Sequence, residues 1–195
     1  QVGNSIVGQI KNENSGSSIE ISNDGKTIAI GAPFNYNRSG DKSGTVRIFK
    51  FDGSSWKQEG GDITGQFDKE KFGYSISLSG DGKTVAVGAP FNSNNDHKGY
   101  VSVYKNSSGD WKKIGKDING INVSDQFGYS VSLSDDGKYF AAGSNRGNEN
   151  FVRVFNLNNN DWIQIAKGIS RGNSNTNKVE LSLSEDASTL IISTI

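Results

Sequence analysis

The stretch FGYSISLSGDGKTVAVGAP, from Phe72 to Pro90, returns as FGYSVSLSDDGKYFAAGS from Phe127 to Ser144. In each copy a Phe-Gly opening leads through alternating small and apolar residues to a Ser-x-Asp-Gly turn, a second apolar run and a small-residue ending. Period-two alternation on both sides of a tight turn predicts a β-hairpin, in which Asp bonds its own backbone and Gly takes positive φ. Aligned on the turn glycine, Gly25, Gly82 and Gly137 follow Asn23-Asp24, Gly80-Asp81 and Asp135-Asp136, and Ala187 holds the fourth place, at spacings of 57, 55 and 50 residues.

Other landmarks keep this phase. Trp56, Trp111 and Trp162 recur, as do the apolar runs Thr45-Val46-Arg47-Ile48-Phe49, Tyr100-Val101-Ser102-Val103-Tyr104 and Phe151-Val152-Arg153-Val154-Phe155. Each unit therefore reads as four short strands, in the second unit Tyr74 to Ser79, Thr84 to Gly88, Gly99 to Lys105 and Asp110 to about Lys116. Four antiparallel strands in about 50 residues match one propeller blade. The expected fold is all-β, about three and a half blades of a partial or larger propeller, with units at 1–58 (including the tail of a preceding unit), 59–113, 114–164 and 165–195.

Phe72-Gly73, Gly88-Ala89-Pro90 and the strand Gly99 to Tyr104 resemble the FG-GAP repeats of integrin-type β-propellers, and most of all the FG-GAP-like repeats of secreted and surface proteins of microbes. The first unit keeps Gly31-Ala32-Pro33 but has Ser15-Gly16 for Phe-Gly, the third has Gly143-Ser144 for Gly-Ala-Pro, and the fourth departs at both places. Phe is expected to fill the seam between blades, the Gly beside it to let backbones approach, and Gly-Ala-Pro to end the second strand where a side chain has little room. The register enters at the tail of one unit and leaves halfway through another, so the chain is expected to be an excerpt of a larger propeller or part of an assembly. The resemblance implies an extracellular or cell-surface setting and ligand recognition on the face that carries the long loops.

Composition narrows the function. The chain has 25 Gly, no Cys and no Met, which leaves no thiol nucleophile or thiolate metal site. With 21 basic against 21 acidic residues there is no net basic field, and nucleic acid is not an expected partner. No apolar run approaches the roughly 18 residues of a spanning helix, so no membrane insertion is expected. His97 is a lone loop histidine, no Gly-x-Ser-x-Gly elbow or phosphate loop is present, and the expectation is a non-enzyme without cofactor.

Metal is tested by the resemblance, because integrin-type repeats often carry an acidic calcium loop between their first two strands. Here Ser79-Gly80-Asp81-Gly82-Lys83 and its equivalents offer one or two carboxylates beside a lysine, against the six to eight oxygens calcium takes. The hairpins are therefore expected to bind no metal.

The turns within hairpins are short, whereas the second-to-third-strand and blade-to-blade connections are long and variable, an arrangement suited to recognition. Candidate contacts are Asn35, Tyr36, Asn37, Asp41, Asn92, Asn94, Asp96, His97, Asn145 and Arg146, for a protein or glycan ligand, with self-association or further blades as other partners. Asn37, Asn106 and Asn122 begin Asn-x-Ser sequons placed in loops or turns. Three functions stay open: an adhesion or binding module, an architectural subunit of an appendage, sheath or virion, and a glycan-binding or carbohydrate-active propeller.

Overall fold

The computed structural model describes residues 1–36, 40–92, 96–147, 151–170 and 179–194. Sixteen strands run in chain order among them, and no helix. The first sheet holds β1 (Ser18–Ile21), β2 (Thr27–Ala32), β3 (Thr45–Phe51) and β4 (Trp56–Gln58), with β5 (Ile63–Thr64) also on β3. The second holds β6 (Ser75–Leu78), β7 (Thr84–Ala89), β8 (Tyr100–Ser107) and β9 (Asp110–Lys113), with β10 (Ile118–Asn119) also on β8. The third is β11 (Phe127–Leu133), β12 (Tyr139–Ser144), β13 (Val152–Asn158) and β14 (Asp161–Gln164), and the fourth pairs β15 (Val179–Leu183) with β16 (Leu190–Thr194). All named pairs are antiparallel. These sheets are propeller blades.

The outer strand departs from the expected form. It reads as one run to about Lys116 but is split into β9 and β10, and the first blade continues to Thr64, past the expected limit at residue 58. The chain bends at Gly60 and Gly115, both at positive φ, and rejoins the third strand beyond the bend. The third blade repeats this as a bridge between Val152 and Ile169.

The core lies between blades. Ala29, Val46 and Ile48 of the first sheet pack on Phe72, Ile76, Val85 and Val87 of the second. Val101 and Val103 pack on Phe127, Val131, Phe140 and Phe155 across the next seam. Phe72 and Phe127 are fully buried, as the repeat requires, and burying each ring contributes about 3 kcal/mol. Gly31 and Gly88 lie under the carbonyls of Gly73 and Gly128, so an added Cβ would overlap backbone of the next blade.

Tryptophan joins the outer strands. The Trp162 indole donates to the Ile114 carbonyl at 3.1 Å and Trp56 to the Val2 carbonyl at 3.2 Å, while the Trp111 indole N–H is buried without a partner.

The inner strands are joined by serine. Ser18 Oγ donates to the Gly73 carbonyl at 2.8 Å and Ser75 Oγ to the Gly128 carbonyl at 2.7 Å. Ser77, Ser130 and Ser132 accept from the amides of Leu133, Leu181 and Leu183 at 2.9, 3.1 and 2.9 Å. Backbone groups on the inner edge of the second, third and fourth blades thus find serine partners on the blade before.

A buried acid recurs two residues before the Phe-Gly position, as Glu13, Glu70 and Asp125. Each carboxylate accepts an amide a few residues upstream: Gln9 at 2.7 Å, Gln66 at 2.6 Å, and Asn122 at 2.7 Å, which ties the blade-to-blade loop. Arg47 answers Glu13 with two bonds of 3.1 Å. At the Arg47 position the third blade has Arg153, which stacks 3.9 Å over Phe127, and the second has Ser102. Glu70 therefore keeps one oxygen without a hydrogen bond, and burial pushes its pKa up to about 7.

Candidate functional site

The two ends of the propeller axis differ. At one end the hairpin turns touch one another, with Asn23 N donating to Gly80 O at 2.9 Å, Gly80 N to Asp135 O at 3.0 Å, and Asp135 N to Glu185 O at 3.1 Å. Within each turn the Asp is occupied locally: Asp81 Oδ1 takes the Ser79 hydroxyl at 2.7 Å and the Lys83 amide at 2.9 Å. Among the described residues no three His, Cys, Asp or Glu side chains gather where they could hold a metal ion.

At the other end, where the first strands begin, a groove of about 570 Å³ opens along the axis. Its walls are the start of each inner strand, including Tyr74, Tyr129, Ile76 and Val131. The rings of Tyr74 and Tyr129 lie 4.9 Å apart, and Phe91 stands 5.5 Å from Tyr74 in an edge contact. Burial, reinforced by the Tyr129 hydroxyl, pushes the Tyr74 phenol pKa up. On the rim Lys71 Nζ sits 4.0 Å from the Phe91 ring and 5.1 Å from Phe34, and desolvation lowers its pKa.

The residues named from sequence fare unequally. Asn35 and Asn92 are buried and serve the loops: Asn35 Nδ2 donates to Thr45 Oγ1 at 3.1 Å, and the Asn92 carbonyl accepts from His97 N at 3.0 Å. Burial corrects their reading as partner contacts, because loop closure consumes the polar groups that a loop sequence suggests are free. Tyr36, Asp96, His97 and Arg146 are exposed, while Asp41 and Asn145 are half-buried. Asp96 and His97 adopt left-handed φ, and their carbonyls accept from Ser124 N at 2.9 Å and Gln126 N at 3.2 Å, strapping this loop to the next connection. Asn145 Nδ2 donates to Gln126 Oε1 at 2.8 Å.

Asn37 and Asn94 lie outside the described residues. Of the sequons, Asn122 is exposed in a loop, but Asn106 stands within β8, where its Oδ1 accepts from Gly109 N at 2.9 Å. The turn there is tighter than expected, only Ser108 and Gly109 separating the paired Ser107 and Asp110.

Sequence reasoning passed over Tyr74 and Tyr129, which bring the groove its aromatic wall. Their signal was present, since each directly follows Phe-Gly at the same phase. Phe34 and Phe91 carried a like mark, each directly following Gly-Ala-Pro at the same phase, whereas Lys71 carried none.

The FG-GAP repeat family model matches residues 68–104, the second blade from the loop before Phe72 to Tyr104. No curated protein matches the chain in sequence. Among solved structures it is similar to a functionally unknown protein from Desulfotomaculum acetoxidans (TM-score 0.60, 13% identity, covering 91% of this chain and 48% of that one). It is also similar to the hydrazine synthase of Kuenenia stuttgartiensis (TM-score 0.57, 15% identity, 97% and 45%) and to a chain in the complex of KlAtg21 with the coiled coil of AgAtg16 (TM-score 0.58, 13%, 90% and 48%). The chain spans about half the length of the structures it matches, and at these identities the likeness is one of fold. The second blade is thus similar to an FG-GAP repeat, and the same landmarks recur in phase along the chain.

Proposed function

We propose that the chain is a non-enzymatic binding module that recognises its partner at the loop end of the axis, and that it works on the outside of a cell or particle in adhesion or protein–protein interaction. The observation that carries this reading is the contrast between the ends: the hairpin turns are knitted to one another, whereas the loop end bears the groove and the exposed Tyr36, Asp96, His97 and Arg146. A rigid frame with variable loops at one end suits recognition. The surface setting is supported by the resemblance of the units to FG-GAP-like repeats of secreted and surface proteins.

The test is to probe protein and glycan arrays with the chain and with a variant in which Tyr36, His97 and Arg146 are all Ala. A ligand held by the first and lost by the second, at equal melting midpoints, supports the reading. Silence on both arrays together with concentration-dependent assembly in sedimentation would instead favour an architectural subunit. Release of product from a retained glycan would point to a carbohydrate-active propeller.

A further inference from the structure

The axial groove is chemically uneven. Its inner-strand positions are serine in the middle blades, namely Ser75 and Ser77 in the second and Ser130 and Ser132 in the third. The terminal blades place a carboxylate in the same rows: Glu20 stands at the position of Ser77 and Ser132, and Glu180 at that of Ser75 and Ser130. Both carboxylates line the groove, and no Lys, Arg or His does. Glu20 is half-buried, burial raises its pKa, and no hydrogen bond or ion pair reaches its carboxylate among the described residues. A half-desolvated carboxylate without a partner is an attachment point for a cation.

The rest of the groove suits an alkyl stem. Ile76 and Val131 line the groove with their side chains packed in the blade seams, and the Tyr74 and Tyr129 rings stand at its mouth, where aromatic faces attract a passing cation. The serine hydroxyls are engaged, Ser75 with the Gly128 carbonyl and Ser130 with the Leu181 amide. A sugar, which needs several donors and acceptors, finds few there. A long apolar chain ending in a positive charge finds each of its parts matched.

We infer that the axial groove takes a lysine or arginine side chain presented by a protein partner, with Glu20 facing its charge and the Tyr74 and Tyr129 rings packing its stem. This rests on the reading of the loop end as the binding end and gives that end a partner chemistry.

The experiment titrates the full, isotopically labelled chain with N-acetyl-arginine amide and N-acetyl-lysine amide, with N-acetyl-norleucine amide as the uncharged stem, following backbone amide shifts by NMR. The cationic probes should move Ile76, Ser130 and Val131 saturably, with Kd between about 0.1 and 10 mM, and the norleucine probe should not. Glu20→Ser, which installs the residue of the middle blades, should weaken the cationic probes about tenfold with no loss of melting midpoint. Equal shifts from norleucine amide, or undiminished binding by Glu20→Ser, would overturn the proposal. Glucosamine shifting these amides where arginine amide does not would overturn it in favour of an amino sugar. Shifts that depend on protein concentration alone would overturn it in favour of a second copy of the chain. In each case the array experiment decides separately whether the loop end binds a partner.

Discussion

Glu13 and Arg47, 34 residues apart, meet through two bonds of 3.1 Å with both side chains almost wholly buried. Burial disfavours the guanidinium charge, but Glu13 and Asp62 together outweigh it and hold the Arg47 pKa above its ordinary value. Removing one partner leaves a buried charge alone. Arg47→Ala should therefore cost about 3–5 kcal/mol in denaturant unfolding, while Arg47→Met combined with Glu13→Leu should cost less than the single change. A double variant no better than Arg47→Ala would show that the pair is not the source of the loss.

Glu70 occupies the place of Glu13 in the second blade, without an arginine. Its folded pKa, about 7, is raised above the ordinary 4.5 by burial. The folded state thus holds the proton more tightly than the unfolded one. The contribution to stability is full below pH 4.5, falls as pH rises, and is lost by about pH 7. After discounting for solvent near the loop the loss is about 2 kcal/mol. Urea unfolding between those limits should show this slope for the native chain and a flatter one for Glu70→Gln, whose amide is neutral throughout.

Gly88 lies under the carbonyl of Gly128, and a methyl group there would meet backbone. Gly61 has open space and an ordinary φ. Gly88→Ala should lower stability by about 3 kcal/mol or more, and Gly61→Ala should change it by less than about 0.5 kcal/mol. Comparable melting midpoints for the two variants would rule out close approach as the reason for Gly in Gly-Ala-Pro.

The hairpin aspartates should take up no calcium. Asp24, Asp81, Asp136 and Asp186 each use one oxygen to accept a Ser hydroxyl and a backbone amide of their own turn. Thermal melts in calcium and in chelator should coincide, since a ligand of the folded state would raise the midpoint. Asp81→Ala should lower stability by about 1 kcal/mol equally in both.

Ala187 sits at φ 59°, where the other three turns have glycine at 67° or 68°. A side chain in this left-handed region is strained, and Ala187 is only half-buried, with little packing to lose. Ala187→Gly should raise stability by about 0.5–1 kcal/mol. An unchanged or lower unfolding midpoint would place the strain elsewhere.

The hairpins and the blade phase were legible in the sequence because Gly25, Gly82 and Gly137, the three Trp residues and the two Phe-Gly pairs recur together. Local chemistry dictates such features, a turn residue here and an alternation there. The split outer strand was not legible: Asp110 to about Lys116 reads as one run, and only pairing of β5 with β3 and β10 with β8 shows that the strand breaks and resumes. The serines of the inner strands look like a solvent face by alternation, yet their hydroxyls bond the next blade. Asn35 and Asn92 mislead in the opposite sense, polar in sequence and buried in space. The serine bonds reach partners some 50 residues away, whereas the resumed strand and the buried asparagines find partners within 20 residues, in pairings that alternation and turn chemistry do not encode.

The serine bonds between inner strands carry a consequence for how such a protein changes over time. Ser75 meets Gly128 much as Ser18 meets Gly73, so the parts of every joint are contained within two neighbouring units. Tandem duplication of the DNA for one unit would create a new copy that already fits both its neighbours, with no compensating substitution elsewhere. Copy number becomes a quantity that recombination can adjust in single steps, and lineages that share this unit are expected to differ in how many they string together before they differ in how the units join.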